Sequence, residues 1–309
     1  MSERFGHLHS HTEFSLLDGG AKIKDIMDKV KAMGQDFIAT TDHGTMYGTV
    51  KAHQYAKEIG IKHIVGCEFY ITPYGKLAHE KDFKKGERSS NHLILLAKNN
   101  EGYKNLCQLS YLGYSKGFYR RMRIDRPMLK NYKNGLIVTS ACIGGSIPSL
   151  ILDGRVKEAE EEIEWFADTF KEDFYIELQN HNITDEIAVM GYLKDQAHKW
   201  GIKTTVGIDA HYLNKEDTQA HDALICIGTG QKVDGERRFQ FEGDGYWYMS
   251  TEEAKERFPN DLESLYETGR IADKIEEQVI EFGNLKLPYF NIERDKEEFS
   301  KWKGDSKWF

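Results

Sequence analysis

Three histidines alternate along His7-Leu8-His9-Ser10-His11 near the start of the chain. Alternate side chains of an extended strand share a face, so the three imidazoles are expected to project together. Imidazoles fill a core poorly, because each carries a donor and an acceptor that need partners when buried. Neutral imidazole is, however, the commonest protein ligand for transition metals. The interleaving with Phe5 and Leu8 separates this stretch from a plain histidine tag. A metal floor built here needs more ligands, and the chain supplies them one at a time: Asp18, His43, Glu68, His92, Cys142, Asp209 and His211.

These residues sit at the ends of short apolar runs. Besides the first stretch, runs at 36–41, 63–70, 92–97, 135–140, 174–178 and 203–208 read as strands. Helical spacing of apolar residues occupies 21–34, 47–59, 101–115, 155–170, 184–200 and 216–227, with mixed helical segments to about residue 280. Alternating strands and helices predict an α/β fold with a parallel sheet. Seven strand candidates favour a barrel over an open doubly wound sheet, and the first strand lacks the GxGxxG turn of dinucleotide-binding folds. Residues 75–91 are polar and aperiodic, which predicts a mobile surface insertion.

In such a barrel the strand ends converge on one face. His9, His11, Asp18, His43, Glu68, His92, Cys142, Asp209 and His211 together exceed the needs of one tetrahedral ion. A polynuclear site fits them, with a carboxylate bridging ions about 3.5–4 Å apart. Singly, His43 could cap a helix, Asp18 could form a turn, Cys142 could be a core thiol and His92 could open a strand by chance. Glu68 inside a β run resists such an account, because a buried carboxylate needs a partner. All nine together argue for metal. The mixed N/O/S donor set suits zinc, manganese or iron without choosing among them.

Composition sets the bounds. With 309 residues, 39% hydrophobic and 30% charged, the chain can bury a real core. No apolar run approaches the ~20 residues of a membrane span, and the N-terminus is no signal peptide, so a cytoplasmic protein is expected. Cys67, Cys107, Cys142 and Cys226 form no CxxC pair, which argues against a disulfide framework. A net charge of −8 means that a nucleic acid would need a local basic patch or bound cations. One such patch is Lys116-Gly117-Phe118-Tyr119-Arg120-Arg121-Met122-Arg123. Its composition suits a solvated loop and equally suits phosphate contacts with base stacking.

The motifs His9-Ser10-His11, Thr41-Asp42-His43-Gly44, Gly66-Cys67-Glu68, Asn91-His92-Leu93, Ser140-Ala141-Cys142 and Asp209-Ala210-His211 resemble those of the polymerase and histidinol phosphatase (PHP) domain. Phe5 to Gly19, Ile64 to Glu68, Gly117-Phe118-Tyr119 and Leu287-Pro288 further resemble the PHP domain that opens bacterial DNA polymerase III alpha subunits. The resemblance implies a distorted seven-stranded β/α barrel over residues 1–285 with a trinuclear site at its C-terminal face, residues 286–309 being a linker or tail. It implies His9, His11, Glu68 and Asp209 on one ion, Glu68 with His92 and Cys142 on a second, and Asp18, His43 and His211 on the third. His7 is assigned a supporting or core role.

The implied ions are manganese or zinc, with iron possible. The implied activity is 3′–5′ exonuclease of a proofreading type, in which the ions activate water and stabilise the leaving oxygen. Glu68, Asp209, His11 and His211 are the residues on which catalysis would depend. Phe118, Tyr119, Arg120, Arg121 and Arg123 would hold DNA with a single-stranded 3′ end, the polymerase resemblance favouring this over a solvated loop. Other replicase domains or subunits are the implied protein partners, and no membrane is involved. Two alternatives stand beside this: a small-molecule phosphoesterase of the histidinol-phosphatase type, and a non-catalytic, metal-stabilised polymerase scaffold.

Overall fold

Local sequence explains most elements. In the computed structural model, which describes residues 3–283 except 17, 85 and 237, α1 (Ile23–Ala32) buries Ile23, Ile26, Met27 and Val30 on one face. It leads to β1 (Phe37–Thr40), α2 (Thr49–Ile59) and β2 (Lys62–Ile71). Gly60 closes α2 in the left-handed conformation that favours glycine. Then follow β3 (Asn91–Ala97), α3 (Asn100–Ser115), α4 (Arg126–Asn131), β4 (Leu136–Thr139), α5 (Ser146–Leu152) and α6 (Val156–Phe170). The described elements end with β5 (Phe174–Leu178), α7 (Thr184–Trp200), β6 (Lys203–Val206), α8 (Thr218–Thr229), α9 (Thr251–Arg257) and α10 (Leu262–Lys274). The short helices α4 and α5 were not expected, since six and seven residues carry too few turns to show a period. The expected linker 286–309, with Leu287 and Pro288, lies outside the described residues.

The strands form one mixed sheet in the order β1-β2-β3-β4-β5-β6. Strand β3 runs antiparallel to both neighbours, and the other pairs are parallel. An all-parallel sheet was expected; the cause of the reversal is the helix-free stretch 72–90, which supplies no crossover to return the chain. Residues of β1, β4 and β5 are buried throughout, with helices over the sheet.

Six strands are found among the described residues rather than seven. The stretch 5–11 is not a regular strand: it bends at Leu8 and His9 and forms an isolated bridge at Ser10. It nevertheless joins both sheet edges: His7 O and Ser10 O accept from Ala39 N and Thr41 N beside β1, and His11 N donates to Ala210 O beyond β6. Side-chain hydroxyls interrupt its ladder. Ser10 Oγ donates to Ala39 O (2.7 Å), and Thr41 Oγ1 donates to Ser10 O (3.0 Å). The sheet is therefore curled, with the histidine-bearing stretch spanning its two edges.

Candidate metal centre

The rim at which β1, β2, β4, β5 and β6 end is also where β3 begins. This reversal puts His92, the second residue of β3, opposite Tyr70 near the end of β2. Isolated bridges tie the strand tips together there: Ser10 to Ala210, His43 to Glu68, and His92 to Gly145. Asp209 and Ala141 adopt positive φ, 49° and 59°, which a non-glycine residue holds only under strong tertiary constraint. Each lies in a turn that aims a donor, Asp209 itself or the adjacent Cys142.

All nine expected residues meet at this rim. His9 Nε2 and His11 Nε2 each lie 3.1 Å from Asp209 Oδ1. Glu68, fully buried, directs one oxygen at His43 Nδ1 and the other at His92 Nδ1. Cys142 Sγ is 3.4 Å from His92 Nδ1, and Asp18 Oδ2 is 2.9 Å from His43 Nε2. Donor atoms fall into three groups within 4.8 Å: His9-His11-Asp209, Glu68-His92-Cys142 and His11-His43-His211. Asp18 approaches the last group through His43. His7 turns away, its Nε2 donating to Met249 O (3.1 Å).

The residues fit cations. His11 Nδ1 donates to Ser15 Oγ (2.9 Å), which itself donates to Asp42 Oδ1 (2.8 Å). In that tautomer the Nε2 lone pair faces the Asp209 carboxylate, a repulsive pairing that a cation would relieve. His9 Nδ1 donates to Glu177 Oε1 (2.7 Å) and His211 Nδ1 to Asp209 O (2.7 Å), so both also present Nε2 inward. Among the described residues His9 Nε2, His43 Nδ1, His211 Nε2 and both Glu68 oxygens are buried and make no well-formed hydrogen bond, the close contacts of His9, His43 and Glu68 being with other members of the rim. Imidazoles fixed through the far nitrogen by a carboxylate, hydroxyl or carbonyl are typical of metal ligands.

Electrostatics agree. Burial disfavours charge on Glu68, but His92 and His43 outweigh it and hold the carboxyl well below its usual range. Asp209 is likewise held low, against burial, by His9 and His211. Burial and the neighbouring His43 and His211 push His11 down to about 3, leaving it a neutral donor. Burial opposes charge on His9 too, yet Asp209 and Glu177 push it up to about 9, so a metal would have to displace its Nε2 proton, with Glu177 keeping the Nδ1 proton in place. Burial pushes the Cys142 thiol well up, so a metal would have to displace its proton.

Sequence reasoning passed over the supporting residues. Glu177 sits in the apolar run of β5, where its burial poses the same question as that of Glu68. It orients His9 and is itself held by Thr139 Oγ1 and by Gln179 Nε2 (2.7 Å). Asp42 collects Thr12 N (2.7 Å), Thr12 Oγ1 (2.8 Å) and Ser15 Oγ, fixing the loop that carries Asp18.

The basic loop divides. Arg121 is exposed and stands over the Tyr70 ring (4.4 Å), which packs 5.3 Å from His92. Phe118 and Arg120 are exposed as well. Arg123, expected to touch nucleic acid, is instead fully buried. Its guanidinium uses four of its five N–H donors on the carbonyls of Gly117, Ala78, Glu80 and Ser89, and its burial keeps it from a phosphate. Tyr119 stacks on Phe83 (5.5 Å). Arg123 and Tyr119 thus pin the 75–91 stretch to the fold, where a mobile insertion was expected.

The PHP domain family model matches residues 7–181. The DNA polymerase III alpha subunit of Borreliella burgdorferi is 46% identical over 290 residues, covering 94% of this chain and 25% of that protein. The same subunit of Treponema pallidum is 37% identical over 293 residues, covering 93% and 24%. The chain thus spans about a quarter of the length of the curated relatives it matches. A solved structure from Bifidobacterium adolescentis, of a protein assigned as a metal-dependent phosphoesterase, is a looser likeness. It has a TM-score of 0.46 at 12% identity, over 83% of this chain and 96% of its own.

Proposed function

The chain belongs to the PHP domain family, and from that premise we propose that it is a metal-dependent phosphodiesterase that shortens DNA from a single-stranded 3′ end. One observation carries the reading: eight nitrogen, oxygen and sulfur donors form three close groups at one rim, Asp18 joins them through His43, and several of their buried atoms make no well-formed hydrogen bond among the described residues. The proposed ligands are His9, His11, Asp18, His43, Glu68, His92, Cys142, Asp209 and His211, with manganese or zinc the expected ions. Bound there, such ions would supply the Lewis acidity that activates water and balances the charge of a phosphodiester.

The chain's own residues have separate tasks. Glu68 and Asp209, ionised against their burial, provide the anionic charge that draws cations into a buried place. Asp209 also sets the spacing of His9 and His11 through one shared oxygen. Glu177, Ser15 and the Asp209 carbonyl hold the three imidazoles in the tautomer that leaves Nε2 free. Arg121, held by Tyr70 beside His92, is placed to meet non-bridging phosphate oxygens. The polymerase relationship suggests a replicase setting, in which the remaining domains and subunits would be the partners.

A 5′-labelled primer with a 3′ mismatch tests this, incubated with manganese, with zinc and with neither. A ladder shortening from the 3′ end is expected in metal, slowed about 100-fold or more in Asp209→Asn. A primer left intact in every metal, or one shortened equally by the variant, overturns the proposal. Release of phosphate from histidinol phosphate with the primer intact would point to a small-molecule enzyme instead.

A further inference from the structure

Four aromatic rings are exposed beside the candidate centre, and of these only Phe118 was expected from the sequence to meet DNA. Tyr47 is 69% exposed, Tyr111 63%, Tyr114 45% and Phe118 49%. Single exposed aromatics are ordinary, but a contiguous set calls for a ligand. These are contiguous. Tyr111 and Tyr114 lie three apart on α3 and so share a face. The Tyr114 and Phe118 rings are 6.3 Å apart and 19° from parallel, and the Tyr47 hydroxyl neighbours that of Tyr114. The set also abuts the centre, because Tyr114 Oη donates to the carbonyl of Gly44, next to His43 (3.3 Å).

Charge identifies the occupant. In a chain of net charge −8, residues 102–124 carry five cations and no carboxylate. Arg120 and Arg121 of this segment are exposed, and Arg121 leans over Tyr70 toward His92. Rings for base faces and cations for a backbone, side by side, are the two components of a sequence-tolerant single-strand site. A duplex keeps its base faces stacked inside and would leave these rings unused.

Resting on the phosphodiesterase reading above, we propose that Tyr47, Tyr111, Tyr114 and Phe118 form a platform on which bases of a single strand stack. Arg120 and Arg121 hold its phosphates as the strand enters the centre. Tyr119 and Arg123 lie outside this platform, being used against Phe83 and the 75–91 stretch.

The test separates rings from charge. Fluorescence anisotropy in EDTA, where hydrolysis cannot intervene, compares a labelled oligothymidylate of about 20 nucleotides with an abasic strand of the same length. Wild type is expected to bind the thymidylate strand at least about fivefold more tightly. Phe118→Leu and Tyr47→Leu should each lose about fivefold on that strand and almost nothing on the abasic one, with unchanged circular dichroism. Equal loss on both strands, or no loss on either, overturns the platform. So does a wild-type dimer in sedimentation velocity that these substitutions split, which would make the rings a protein contact. Base-dependent binding without metal-dependent shortening of the strand would keep the platform and remove the hydrolytic reading. Shortening without base dependence would do the reverse.

Discussion

At the scale of single residues, the centre depends on side chains that touch no ion in the proposed arrangement. Glu177 is the strongest case, since it fixes the His9 ring from behind. Glu177→Gln keeps the shape and removes the charge, and metal affinity is expected to fall about 10- to 100-fold. Competition against a chromophoric chelator measures this, and unchanged affinity would remove Glu177 from the assembly. The nine proposed donors were picked from the chain alone, because a polar residue in or beside an apolar run is conspicuous. Glu177, next to last in β5, was passed over all the same, because only the fold reveals which buried atom it faces. Arg123 misled for the opposite reason: beside Arg120 and Arg121 it shares their composition, yet it alone points inward to four carbonyls.

At the scale of elements, the strand tips must leave room for this support. A Cβ at Gly207, just past β6, would run into the Glu177 carboxylate. Gly207→Ala is therefore expected to displace Glu177, weaken metal retention about tenfold and cost about 1–3 kcal/mol by overpacking. Metal content after gel filtration and urea midpoints check both, and full retention at wild-type stability would contradict it. Helices and strands were legible because their periods are local: 174–178 and 184–200 form with the expected bounds. The direction of β3 was not, since it depends on how the chain returns through 72–90. The first stretch departs from a strand because Ser10 N pairs with the Thr41 hydroxyl and Ala39 O with the Ser10 hydroxyl, where a ladder would join amide to carbonyl.

At the scale of the whole molecule, the rim is a weak point until its charges are balanced. Metal present at about 100 times its dissociation constant would add about 2.7 kcal/mol of stability, a shift of a few degrees. Scanning fluorimetry with chelator and after manganese is restored measures that shift, and identical melting in both would exclude a stabilising ion. A second weak point lies away from the rim. His63 is hydrogen-bonded to Thr40 and packed against His53, and burial pushes it down to about 3. Its folded value lies below the unfolded ~6.5, so the unfolded chain takes the proton first. Stability is therefore flat above about pH 6.5 and falls below it, by about 2 kcal/mol for this residue at pH 5. Urea midpoints at pH 7 and pH 5 should drop less in His63→Leu than in wild type; equal drops would exclude the residue. What the sequence determined by itself was the inventory of proposed donors, the order of most elements and the family, because types, spacings and periods are local properties. What only the tertiary structure decided was the company each donor keeps. His11 and Asp209 are 198 residues apart in the chain and 3.1 Å apart in space, and long-range packing alone makes that contact.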